Sequence, residues 1–120
     1  MRHHNKNKKF GRETKQRRAL MRSLAIALLD KEKIETTEAK AKALRSYVEK
    51  IITKAKKNDL ATKRLLNSKL GSGGNIVVKK ALEEIAPRYK DVNGGYLRII
   101  KKGERTGSDG AAMAIIEFVK

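Results

Sequence analysis

Apolar side chains recur along this 120-residue chain in two rhythms, and the first thirteen positions show neither. Residues 1–13 carry almost no apolar groups, so they are expected to form an extended arm outside any core. Thr14 is placed to act as an N-cap. After it Leu20, Leu24, Ala27 and Leu28 return every three or four residues, with Met21 beside them, which predicts a helix to about Leu29. Arg17, Arg18 and Arg22 fall largely on its other faces. Ile34-Glu35-Thr36 is a short strand candidate. Thr37 opens the most regular stretch: Leu44, Tyr47, Val48, Ile51, Ile52 and Ala55 keep the spacing of a core-facing helical stripe. That helix is expected to end near Lys57, with Lys54, Lys56 and Lys57 against the negative end of its dipole. Asn58-Asp59 is a break and a new N-cap. A shorter helix over Leu60 to Lys69 is expected to present Ala61, Leu65 and Leu66. Gly71-Ser72-Gly73-Gly74 is a loop, because three glycines in four residues hold regular structure poorly.

Residues 75–86 read two ways. The β-branched run Ile76-Val77-Val78 suits a strand. Yet Asn75 can cap a helix, and Val78, Leu82 and Ile85 keep helical spacing up to Pro87, so helix is favoured. Asn93-Gly94-Gly95 is a turn. From Tyr96 to Lys102 the pattern alternates, with Leu97 and Ile99 on one face and Arg98 on the other. Gly103 to Gly110 is a loop. Ala111 to Val119 is a closing strand, with Ile116 and Phe118 opposite Glu117, and the last two strands are expected to pair as a hairpin. The order is helix, strand, three helices, two strands. It predicts a two-layer α+β domain over residues 14–120, with helices packed on a small mixed sheet and residues 1–13 as a basic extension.

Composition supports one modest core. Leu, Ile, Val and Phe supply 28 of 120 residues, above the roughly 20% below which highly charged chains stay disordered. The absence of Cys excludes a disulfide scaffold, a thiol nucleophile and a Cys-based zinc site. The longest apolar run falls short of the ~18 residues of a membrane span.

Charge changes the picture most. Thirty basic against thirteen acidic residues give a net charge of +17, enough to weaken the compact state by self-repulsion. A polyanion is the expected remedy, phosphate backbone first and an acidic membrane surface second. Only five aromatic residues and no Trp argue against stacking platforms for bases, so the expected contact is charge to phosphate, plus shape. The charge is concentrated: residues 1–22 hold nine basic groups (Arg2, Lys6, Lys8, Lys9, Arg12, Lys15, Arg17, Arg18, Arg22) against Glu13. The arm followed by an apolar stretch resembles a signal peptide. Arg22 and Ser23 interrupt that stretch, however, and Asp30-Lys31-Glu32-Lys33 follows it without a small-residue cleavage site. A Lys- and Asn-rich arm also fits a mitochondrial presequence poorly.

Catalytic signatures are weak. His3 and His4 are adjacent and have no acid near them in sequence, so they are read as arm residues that meet phosphate or solvent. No P-loop pattern is present, most acids lie beside Lys or Arg, and Glu83-Glu84 reads as a solvated helix face. The expectation is no enzyme, no metal, no cofactor and no small-molecule substrate. Outside the arm, basic groups gather at Lys54, Lys56, Lys57, Lys63 and Arg64, at Arg88 and Lys90, and at Arg98, Lys101, Lys102 and Arg105. The candidate nucleic-acid contacts are therefore Arg2, His3, His4, Lys6, Lys8, Lys9, Arg12, Lys15, Arg17, Arg18, Arg22, Arg88, Arg98, Lys101, Lys102 and Arg105. A DNA-binding architectural protein is the alternative. Against it, no short turn joins two helices of suitable length after Thr37. A membrane-active basic helix is disfavoured by three further elements with core stripes of their own.

The opening Met1-Arg2-His3, Gly11-Arg12 and Arg17-Arg18-Ala19-Leu20-Met21-Arg22-Ser23-Leu24 resembles the start of the bacterial-type large-subunit ribosomal protein family numbered seventeen. The resemblance continues through Ile34-Glu35-Thr36-Thr37, Ala39-Lys40-Ala41-Lys42, Pro87-Arg88-Tyr89 and Gly94-Gly95-Tyr96-Leu97-Arg98-Ile99. It closes with Gly103, Arg105, Gly107, Asp109, Ala112-Met113-Ala114 and Ile116-Glu117. His4 stands where the family usually has Arg, and Gln16 where it usually has His. The resemblance implies a cytoplasmic protein of the ribosome, bound to large-subunit ribosomal RNA near the polypeptide exit tunnel, with other large-subunit proteins as neighbours. It also implies that Arg2, His3, Arg12, Arg17, Arg18 and Arg22 face RNA.

Overall fold

A computed structural model describes residues 14–71, 74–105, 107 and 110–119. Four helical segments lie over one face of a three-stranded sheet, so the α+β, two-layer architecture is observed. The arm candidates Arg2, His3, His4, Lys6, Lys8, Lys9 and Arg12 lie outside the described residues.

Helix α1 spans Thr14–Lys31. Thr14 is its first helical residue, and its Oγ1 accepts a hydrogen bond from Arg17 Nη2 at 3.1 Å. The buried stripe differs from the expected one. Ala25, Leu28 and Leu29 are fully buried and Met21 and Leu24 pack against them, whereas Leu20 and Ala27 lie at the margin. The difference is a rotation toward Ala25 and Leu29, since α1 packs on α2, α3 and α4 at once and needs the wider face.

Strand β1 (Lys33–Thr37) follows directly. Thr37 then takes an extended backbone and caps helix α2 (Glu38–Ala55), its hydroxyl accepting from the Lys40 backbone N–H. Ala41, Leu44, Val48, Ile51, Ile52 and Ala55 are fully buried, so α2 is the spine of the core; Tyr47 stays half-buried at its edge. Asp59 caps α3 (Leu60–Leu70) by accepting from the Thr62 N–H at 2.7 Å. Here the expected face holds at Leu66 and fails at Ala61 and Leu65. Thr62, Leu66 and Leu70 are buried, while Ala61 and Leu65 are exposed.

The helical reading of residues 75–86 holds. Helix α4 (Asn75–Lys80) widens into a π-helical turn (Ala81–Ile85) and resumes for one turn (Ala86–Arg88). The Ala86 N–H reaches back five residues to the Ala81 carbonyl. This widening accommodates Pro87, whose ring would otherwise press on the carbonyl four residues earlier.

Strands β2 (Leu97–Glu104) and β3 (Ala112–Phe118) form the expected hairpin. The sheet order is β1-β3-β2 and every pairing is antiparallel, where a mixed sheet was expected. β3 is the most apolar strand and takes the centre; the lysine-rich end of β2 takes an edge, where charge discourages further pairing. A bulge between Lys101 and Gly103 shifts the register, and Gly103 adopts φ 95° there, a conformation that needs glycine. Leu97, Ala114, Ile116 and Phe118 face the helices. Tyr89, Tyr96 and Phe118 form an aromatic cluster, with ring centroids of Tyr89 and Tyr96 5.2 Å apart.

Candidate nucleic-acid interface

The two layers treat their charges differently. On the sheet side, basic residues meet acids. Glu117 sits directly opposite Lys33 on β1 and Arg98 on β2 in the register. It accepts from Arg98 Nε at 2.7 Å and lies 3.9 Å from Lys33 Nζ. Lys102 Nζ is 3.2 Å from Glu35, and Lys101 Nζ is 3.7 Å from Glu38. Arg88 forks onto both oxygens of Glu32, with Lys80 Nζ 3.4 Å away on the same carboxylate. Both cations hold Glu32 below its ordinary pKa, the Arg88 hydrogen bond most of all. Arg105 Nη2 contacts the Met113 sulfur at 3.1 Å. Thus Arg88, Arg98, Lys101 and Lys102 are all matched within the chain.

The helical side is built in the opposite way. Between α1 and the first half of α2 runs an open cleft of about 1350 Å³. Its floor is made of small residues, Ala39, Ala43 and Ser46, which recur at helical spacing on α2. Arg17, Arg18 and Arg22 wall it from α1, Lys42 and Lys50 from α2, and Lys69 from the end of α3. Glu38 is the acid in this lining, and Lys101 already engages it. Among the described residues, none of the six wall cations forms an ion pair with a carboxylate. Lys15 is exposed one turn away, on the side where residues 1–13 join the helix.

Two side chains give the cleft its character. Lys69 Nζ lies 4.8 Å from the centroid of the Tyr47 ring, a cation–π contact. Desolvation, then the like charges of Lys54 and Lys50, depress the Lys69 pKa. Burial pushes the Tyr47 phenol up, against the opposing pull of Arg22, so it stays a hydrogen-bond donor across physiological pH. Arg22 reaches toward the end of α3: its Nη1 lies 3.8 Å from where a Cβ on Gly71 would stand.

So the structure brings Arg17, Arg18 and Arg22 together and adds Lys42, Lys50, Lys69 and Tyr47, which sequence reasoning did not select. A signal was present: the stripe Ala39, Ala43, Ser46 flanked by Lys42 and Lys50 marks a shallow, basic helix face. Among the described residues, no group of three His, Asp or Glu is placed to hold a metal ion. Among the described residues, no helix is long and apolar enough to cross a membrane.

The structure thus defines a small, strongly basic α+β domain with a cleft walled by cations that have no carboxylate partner among the described residues. Comparison with known proteins narrows this further. The sequence model of the ribosomal protein L17 family matches residues 20–119, and the chain belongs to that family. Its relatives include the large ribosomal subunit protein bL17 of Persephonella marina, 52% identical over 120 residues, covering 100% of this chain and 96% of the relative. The proteins of the same name from Nautilia profundicola and a Hydrogenobaculum species are each 51% identical. These alignments cover 99% of this chain and 98% of the first relative, and 100% of both chains for the second.

Proposed function

We propose that this chain is a structural constituent of the large ribosomal subunit in the bacterial cytoplasm. It binds large-subunit ribosomal RNA through its basic N-terminal segment (residues 1–13) and the arginines of α1, near the polypeptide exit tunnel and beside other large-subunit proteins. Family membership supports the subunit, the RNA and the location. The observation that carries the binding surface is the charge asymmetry: the cations that wall the cleft between α1 and α2 stand without a carboxylate partner among the described residues, while those of the sheet, and Lys80 and Arg88 at Glu32, are matched. Arg88, Arg98, Lys101 and Lys102 are then secondary contacts, since RNA must compete with Glu32, Glu117, Glu38 and Glu35 for them. Arg105, on the loop side of β2, joins them. The mechanism is electrostatic. Each phosphate neutralised releases counterions, and arginine forks add planar, bidentate grip. Phosphates from separate RNA segments held on one small domain are thereby fixed relative to one another.

Sedimentation of a cell lysate at moderate salt tests this reading. The chain should travel with the large subunit and leave it only at high salt. In binding to a large-subunit RNA fragment, log affinity should fall against log salt by roughly 0.7–0.9 per phosphate contact. Migration at the top of the gradient, or with DNA, would overturn the proposal.

A further inference from the structure

We infer that the cleft between α1 and α2 is a groove for one unpaired RNA strand, whose phosphates are held between Arg18 and Arg22 on one wall and Lys42, Lys50 and Lys69 on the other, beside Tyr47. The inference rests on the RNA-binding reading and names the form of RNA that this surface takes. Four observations carry it. First, the cations stand on both walls of a concavity, so a chain inside meets positive charge from two sides; a duplex, too broad to enter between two neighbouring helices, touches only the rims. Second, Lys42 and Lys50 are eight residues apart on α2, about 12 Å along the helix, which leaves room for successive phosphates of a single strand. Third, the floor is Ala39, Ala43 and Ser46, so nothing bulky fills the space that a backbone would occupy. Fourth, Tyr89 and Tyr96 are buried in the core, while Tyr47 lines this cleft half-buried. With Lys69 against its ring, Tyr47 sets a cation and a phenol, not a stacking platform, in the wall of the groove. Lys69, partly desolvated among like charges, is a cation without an acid in a place that an anion would relieve.

The test uses the full chain and two labelled RNAs at matched salt, a short oligouridylate and a blunt-ended hairpin, read by fluorescence anisotropy. Three variants are compared. Lys42→Gln/Lys50→Gln/Lys69→Gln removes three cleft charges. Arg98→Gln/Lys101→Gln/Lys102→Gln removes three sheet charges. Ala43→Phe fills the floor and leaves every charge in place. For oligouridylate, the cleft triple should lose roughly 100-fold in affinity near 0.1 M salt and about 2 from the salt slope. Ala43→Phe should lose at least about 10-fold, and the sheet triple about 3-fold or less, while hairpin binding changes little in the cleft variants. Equal losses in the two triples would reduce the cleft to net charge and overturn the inference. So would an Ala43→Phe protein, folded by circular dichroism, that binds oligouridylate like the parent. Failure of the parent to bind a large-subunit RNA fragment is a separate result, and strikes the proposed function instead.

Discussion

Glu32 stands at φ 65°, a left-handed backbone that costs a side chain-bearing residue about 1–2 kcal/mol. Its N–H donates to the Leu28 carbonyl at 2.6 Å and its carbonyl accepts from the Phe118 N–H at 3.2 Å, while its carboxylate, forked by Arg88 and approached by Lys80, ties the α1–β1 corner to the far end of the α4 segment. Nothing in the local sequence marks this pair, because its partners are 56 residues apart. The linkage has a definite sign. The folded-state pKa of Glu32 lies below its ordinary value of 4.5, so the ion pair stabilises the fold above that pH. The contribution is lost as pH falls through the lower, folded-state value. Glu32→Gln should therefore destabilise by about 0.5–1 kcal/mol at neutral pH, in urea denaturation. The difference from the parent should shrink as the pH falls from 4.5 through the lower, folded-state value. Glu32→Gly also loses the pair but relieves the backbone, so it should fall within about 0.5 kcal/mol of the parent. A glycine variant as weak as the glutamine one would show that the strain is not there.

At the level of elements, the chain displayed its secondary structure well and its faces less evenly. In α2 the apolar stripe is long and unbroken, and every residue expected in the core is there except Tyr47, which sits at the rim. In α3 the apolar residues Leu60, Ala61, Leu65, Leu66 and Leu70 spread over more than one face of a short helix. The burial of Thr62 then decides between them, and a polar residue gives no such warning in a sequence. The sheet order was illegible for another reason: a strand of five residues can pair on either side of a hairpin, and packing settles which. Two comparisons test the observed α3 face. Leu66→Ala, at a fully buried position, should cost about 2–5 kcal/mol, and Leu65→Ala, 49% exposed, no more than about 0.5. Gly74 makes the second test, where α4 begins. A Cβ there would stand 2.6 Å from Leu70 Cβ, against a helix end that cannot yield. Gly74→Ala should therefore lower the urea midpoint by the equivalent of about 1–3 kcal/mol, with an unchanged m value.

Across the whole molecule, the arrangement that suits RNA works against the free protein. A net charge of +17 repels itself, and Arg18, Arg22, Lys42, Lys50 and Lys69 gather around one cleft whose acid, Glu38, is already engaged by Lys101. The sheet carries similar cations at no such penalty, because Glu35, Glu38 and Glu117 sit among them. The net charge was plain in the sequence; its division between layers was not, because it depends on which strand lies beside which. This division gives the two triple variants opposite effects on stability. In low salt and without RNA, the cleft triple should melt roughly 2–5 °C above the parent, as like charges are withdrawn from a partly desolvated site. The sheet triple should melt at or below the parent temperature, as the pairs of Arg98 with Glu117, Lys101 with Glu38 and Lys102 with Glu35 are broken. Added salt should bring the cleft triple and the parent together, since screening removes the same repulsion that the substitutions remove. Calorimetry across a salt series reads all three outcomes. If the cleft triple melts below the parent at low salt, those lysines are holding the fold together instead of waiting for an anion, and the trade of stability for binding at this site is refuted.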